Sequence, residues 1–337
     1  MSPRHPVLAG VGAYLPPRVV TNDDLAVGLD TSDAWIRGRT GIAERRFAGA
    51  GTSTADLAVE AGTLALKSSS ESEADAVVLA TATPDHPLPG TAPEVAARLG
   101  LAGAAAYDVS AVCAGFLYGL ASAAGLIAAG YARRVLLIGA ETFTSIIDPA
   151  DRGTAVIFAD GAGAVVLRAG DAGEPGAIGH TDLGSDGTHK DLIVVPGGGS
   201  RQRTSGEPAG PRDHYFQMAG RDVYRHAVER MSGSARTALE HAGWAVADVD
   251  RFVPHQANAK ISAAVADRLG LHPGRVLSNI ARTGNTSAAS VPLLLAHAAA
   301  DRRLRPGHRV LLAAFGGGLA WGASTLVWPD VTALTEG

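Results

Sequence analysis

One cysteine, one histidine and one asparagine carry most of the chemical promise of this sequence. Cys113 lies in Tyr107–Phe116 (YDVSAVCAGF), where a short strand runs into a helix of small residues. At a helix N-terminus the unpaired N–H groups and the macrodipole favour a thiolate. Ala114 and Gly115 leave room for a carbonyl group to approach the sulfur. His255 and Asn258 follow a strand in VPHQAN (253–258), and Asn285 stands in RTGNTSAAS (282–290), at the start of another helix. Each has a plainer use alone: a free cysteine or a strand-end histidine usually packs, and asparagine most often caps a helix. Jointly, at matched strand ends, they point to covalent catalysis by a thiol.

An internal repeat supplies the elements that must position them. Asp75 opens an apolar strand and Asp250 opens another; Arg134-Val-Leu-Leu recurs as Arg309-Val-Leu-Leu. Both pairs (75 and 250, 134 and 309) have a spacing of 175. A third pair, Arg98-Leu-Gly-Leu and Arg268-Leu-Gly-Leu, is 170 apart, as a loop deletion would leave it. Helices are expected over 114–130 and from about Thr286 to Arg303, each leading into one of the Arg-Val-Leu-Leu strands. Short apolar strands alternating with helices predict parallel sheets covered on both faces. The halves are placed at 1–173, with the cysteine, and 174–337, with the histidine and asparagine. Helices related by the repeat would aim their N-termini at one centre, bringing Cys113 and Asn285 together within reach of His255. Pro196–Asp213 is polar, rich in Gly and Pro, and aperiodic. It reads as a long loop, either a substrate lid or an insertion without consequence.

Composition removes other classes. Net charge is −4 with no basic block, against nucleic-acid binding. No apolar run is long enough for a membrane span, and the N-terminal stretch lacks the core and cleavage site of a signal peptide. A single cysteine forbids an internal disulfide, and the eleven histidines lack metal-ligand spacing. A cytoplasmic enzyme without a metal is expected. Gly10-Val-Gly12 lacks the third glycine of a dinucleotide fingerprint and runs into Pro16-Pro17; Gly161-Ala-Gly163 reads as strand packing.

The ordered motifs Thr31–Ile42, Val112–Phe116, Asp151–Thr154, Asp160–Ala164, His255–Asn258, Gly284–Ser290 and Phe315–Gly318 span nearly the whole chain. By them it resembles the β-ketoacyl-acyl-carrier-protein (ACP) synthase III family of the thiolase superfamily. The resemblance implies the five-layered αβαβα thiolase fold, two duplicated halves, and a homodimer. It implies acyl-CoA as donor and malonyl-ACP as acceptor in chain initiation of fatty-acid or polyketide synthesis, with no nicotinamide or flavin. Cys113, His255 and Asn285 would be catalytic, and the N–H groups of Cys113 and Gly317 the oxyanion hole. Trp35, Arg39, Thr40, Arg152 and Asn258 would contact CoA. Arg225, Lys260 and Arg268 would form a basic rim for the carrier, Lys260 standing where relatives often have Arg. Leu88 aligns with a bulkier acyl-pocket position that some relatives contribute across the dimer, so a longer or branched acyl group is expected. Family members that transfer an acyl group to an alcohol, amine or carrier without condensation often replace the asparagine; a subunit without activity typically loses the cysteine.

Overall fold

A computed structural model describes residues 4–337. Residues 1–3, the start of the stretch read for a signal peptide, lie outside the described residues. The strands of the two main sheets are numbered β1 His5–Tyr14, β2 Ala76–Ala80, β3 Ala105–Val109, β4 Arg134–Glu141, β5 Gly161–Gly170, β6 Ile178–Ser185, β7 Arg251–Pro254, β8 Arg309–Gly316, β9 Ala320–Val327 and β10 Leu334–Glu336. The helices packed on them are α1 Thr54–Ser68, α2 Ala92–Arg98, α3 Gly115–Ala128, α4 Gly220–Ala242, α5 Ala259–Leu269 and α6 Ser290–Ala300.

The first sheet runs β10-β1-β5-β4-β2-β3 and the second β6-β9-β8-β7. In both, two antiparallel pairings are followed by a parallel one: β1–β5–β4–β2 has its counterpart in β6–β9–β8–β7. The place of β3 is held in the second sheet by a parallel bridge, Phe252 to Val276. The repeat is therefore a repeat of topology. One element departs from the expected division: β10, assigned to residues 174–337, pairs with β1 of the first sheet, Gly12 facing Leu334.

Strand side chains alternate between two interiors, as period-2 geometry requires when both faces are covered. In β4, Val135 and Leu137 enter the central core, while Leu136, Ile138 and Ala140 enter an outer one under α1 and α2. In β8, Val310, Leu312 and Ala314 face the centre, and Leu311, Ala313 and Phe315 pack on the outer side with α4 and α5. α3 touches strands of both sheets, and α6 packs against β1, β5 and β7. Helices outside, two sheets and a shared middle layer give the five-layered αβαβα thiolase fold. The small residues of α3 suit this middle layer. Gly163 in β5 serves the same close packing, since a Cβ there would lie 2.6 Å from the Leu293 nitrogen of α6. Gly10 and Gly12 lie in strand β1, with no helix opening after them.

Two expected boundaries shift. The helix expected from Thr286 to Arg303 is split into a 3₁₀ turn, Ser287–Ala289, and α6. The 196–213 loop holds a one-turn helix, Ser200–Thr204, and is flanked by a two-residue ladder of Ile193–Val194 on Gln217–Met218.

Candidate active site

The repeat aims its two central helices at one point. α3 is preceded by the 3₁₀ turn Val112–Ala114 and α6 by Ser287–Ala289; Val112 has φ +46° and Ser287 φ +47°, a matched kink in both halves. Neither helix has a side-chain N-cap. Cys113 sits in the first turn, Asn285 just before the second, and His255 directly after β7. All three line one cavity of about 40 Å³, whose other walls are apolar: Phe158, Phe216, Met218, Met231 and Ile261 among them. The expected convergence is present.

His255 is buried, which pushes its pKa down to about 3 and keeps the ring neutral. Its Nδ1 lies 2.6 Å from Ser290 Oγ, and that oxygen also accepts the Gln256 N–H at 3.1 Å. Either tautomer fits this contact, since a hydroxyl oxygen can accept twice; in one of them the serine hydrogen points at Nδ1. In that tautomer the other ring nitrogen carries the hydrogen, making His255 a neutral donor (Nε2–H). Asn285 is fixed: its Oδ1 accepts the Ser287 N–H at 2.9 Å, leaving the amino group as the free end. The amide oxygen is thus held by the turn, and the amino group is left available to donate.

The cysteine differs from the sequence expectation. Burial pushes the Cys113 thiol up to about 12, the nearby Glu141 carboxylate adds to the rise, and a Ser287 hydrogen bond opposes it. The resting residue is therefore a thiol. Desolvation outweighs the helix terminus here because Cys113 is almost wholly enclosed while its N-terminal dipole is only a partial charge.

The residues expected at a CoA mouth gather around the helix Asp33–Thr40, which is capped by Ser32. The Trp35 ring has the Arg39 guanidinium 5.2 Å and the Arg152 guanidinium 5.0 Å from its centroid. Arg152 is steadied by the Asp30 carbonyl at 2.7 Å. Asn258 caps α5 through the Lys260 N–H, and its Nδ2 donates to the Arg39 carbonyl at 3.1 Å, tying α5 to the tryptophan helix. Thr40 corrects the expectation: it is buried, its hydroxyl donates to Ile36 O at 2.7 Å and accepts the Ile42 N–H at 3.0 Å, so it locks the helix end instead. Leu88 stands apart from this group. It is 86% exposed and lies outside the lining of the Cys113 cavity within its own chain. Gly316 lines the cavity while Gly317 packs on Ile193 and Val112. Arg225 on α4 and Lys260 and Arg268 at opposite ends of α5 are exposed.

Sequence reasoning missed Ser290, Ser287 and Glu141, and the cavity walls. Phe143, Phe158 and Phe216 form an aromatic cluster with centroids 4.6–5.2 Å apart. Phe216, with Ile193 and Met218, flanks the 196–213 loop, so the segment's ends build the cavity even though its middle is surface.

Family models for the C-terminal part of 3-oxoacyl-[ACP] synthase III and for 3-oxoacyl-[ACP] synthase III match residues 239–328 and 107–187. The chain is 59% identical to a β-ketoacyl-[ACP] synthase III of Streptomyces coelicolor, over 97% of this chain and 98% of the relative. It is similar to the solved 3-oxoacyl-(ACP) synthase III of Pseudomonas aeruginosa PAO1, with TM-score 0.91 and 51% identity, covering 98% of this chain and all of the other. A priming β-ketosynthase from the R1128 polyketide pathway superposes with TM-score 0.89 at 36% identity, covering 97% of each chain. The chain belongs to the β-ketoacyl-ACP synthase III family of acyl-transferring condensing enzymes.

Proposed function

We propose that this enzyme moves an acyl group from acyl-CoA to Cys113 and condenses it with malonyl-ACP, with loss of carbon dioxide, to give a β-ketoacyl-ACP. The observation that carries the reading is the single small cavity lined by Cys113, His255 and Asn285. In the first half-reaction Sγ bonds to the thioester carbonyl carbon, the bond from that carbon to the CoA sulfur breaks, and the thiol proton ends on CoA. The Cys113 and Gly317 N–H groups hold the transient oxyanion; Gly316, where a Cβ would lie 2.6 Å from the Cys113 nitrogen, keeps the approach to that N–H open.

In the second half-reaction the malonyl carboxylate leaves as carbon dioxide, and its electron pair becomes an enolate. Two neutral donors, the Nε2–H of His255 and the Asn285 amino group, stabilise that oxygen without needing to titrate. The enolate carbon attacks the acyl-Cys113 carbonyl, and the sulfur departs and recovers a proton. Trp35, Arg39 and Arg152 hold the CoA nucleotide at the mouth, Asn258 contacts its pantetheine arm, and Arg225, Lys260 and Arg268 meet the acidic carrier. The enzyme acts as a cytoplasmic homodimer, a second copy covering Leu88 and bringing it to the neighbouring acyl pocket. The reaction uses no metal, nicotinamide or flavin.

The test is carbon dioxide release from malonyl-ACP in the presence of an acyl-CoA. Release matched by β-ketoacyl-ACP supports condensation; acyl transfer without release means the site moves acyl groups only. With acetyl-, isobutyryl- and hexanoyl-CoA as alternatives, strict preference for acetyl would end the Leu88 reading.

A further inference from the structure

Glu141 is a fully buried carboxylate that the chemistry above leaves idle. It ends β4, with no cation paired to it among the described residues. Its oxygens accept from Thr83 Oγ1 at 2.7 Å, Thr81 Oγ1 at 3.2 Å, the Ala82 N–H at 3.1 Å, Ser287 Oγ at 2.9 Å and the Ala288 N–H at 3.3 Å. Burial pushes its pKa up to about 7, and these donors pull against that rise. A carboxyl group kept dry at such expense, with donors from two segments, 81–83 and 287–288, calls for a role.

The repeat supplies one. The spacing of 175 that relates Val112 to Ser287 also relates Cys113 to Ala288 and Glu141 to Gly316. Each strand-end residue meets the turn of the opposite half: Gly316 lies against the Cys113 N–H, and Glu141 accepts the Ala288 N–H. Where the first half keeps its turn open for a substrate oxygen, the second fills the equivalent place with a side-chain oxygen.

We propose that Glu141 is a positioning residue that occupies the twin of the oxyanion site and thereby fixes Asn285. By gripping Ser287 Oγ and the Ala288 N–H, it holds the turn whose Ser287 N–H orients the Asn285 amide toward the cavity. This rests on the role given to Asn285 above.

The test compares Glu141→Ala, Glu141→Gln and Asn285→Ala in the full-length enzyme. Two rates are followed, carbon dioxide release from malonyl-ACP and acylation of Cys113 by acyl-CoA. Glu141→Ala should lower carbon dioxide release roughly tenfold or more while slowing acylation less than about threefold, the mark of lost donor alignment. Glu141→Gln keeps an oxygen for Ser287 and Ala288 and should restore release to within about threefold of the parent. Equal loss of both rates in Glu141→Ala, or a glutamine variant as impaired as the alanine one, overturns the proposal. If Glu141→Ala does not fold, Ser287→Ala, which removes the hydroxyl grip on Glu141 together with the Ser287 bond to Cys113, must still lower release more than acylation; equal effects overturn it. Normal release in Asn285→Ala sinks the Asn285 reading and this proposal together. A crippled Asn285→Ala beside a normal Glu141→Ala sinks this proposal alone.

Discussion

The turns at 112–114 and 287–289 are one design used twice, with the same kink, the same entry into a central helix and the same position between two sheets. Chemistry has been assigned to them unequally. The first carries Cys113, the proposed nucleophile, and faces a glycine; the second carries Ala288 at the matching position and faces a carboxylate. Its contribution has moved three residues upstream, to Asn285. Duplication thus delivers two convergent helix starts, and in the proposed reading the residue opposite each turn decides which one receives substrate and which one holds a donor in place.

The sharpest way to break this comparison is to exchange the nucleophile. Cys113→Ala should abolish condensation, a loss of roughly 10⁴-fold or more, as removal of a covalent nucleophile does. Adding Ala288→Cys to it should restore nothing, because Glu141 fills the space before that turn; acylation at position 288 on peptide mapping would show the two turns to be interchangeable. Asn285→Ala should cut carbon dioxide release by roughly 10²-fold, the worth of one preorganised donor, with a smaller effect on Cys113 acylation.

Ser290→Ala should lower the condensation rate roughly tenfold by freeing the His255 tautomer, with the acyl-CoA KM little changed. The pH dependence of alkylation sharpens the same contrast. Since burial pushes the Cys113 thiol up to about 12, its iodoacetamide rate in the free enzyme should keep rising from pH 6 to 9 without a plateau. A plateau near neutrality would mean that the helix terminus, and not desolvation, governs the sulfur. The smallest effect is at the mouth: Trp35→Ala should raise the KM for acyl-CoA roughly fivefold and leave kcat nearly unchanged, as lost ring contacts in uniform binding do.

Much of this was legible in the residues. Matched Asp75 and Asp250, and Arg134 and Arg309, disclosed the duplicated sheets, because buried parallel strands leave apolar runs that a fixed spacing can align. Cys113, His255 and Asn285 stood out because their types are chemically suggestive at strand and helix ends. Glu141 did not. It follows an apolar strand as one more polar residue at its end, and only hydrogen bonds from residues up to 147 positions away reveal its use. Thr40 matched a family motif, yet its hydroxyl is consumed by its own helix end, a detail that spacing does not encode. β10 joined the far sheet because backbone pairing ignores the order of halves along the chain. The upward push on the thiol was not legible from local helix geometry alone, since desolvation depends on residues from both halves closing over it.

The central claim is that Cys113 of the first turn forms the acyl-enzyme. It is tested most directly by incubating the enzyme with an acyl-CoA, without malonyl-ACP, and locating the added mass by peptide mapping. The account predicts one acyl group per chain, on the peptide bearing Cys113, released when malonyl-ACP is added. An enzyme that turns over while Cys113 stays unmodified, or that carries its acyl group elsewhere, would contradict it.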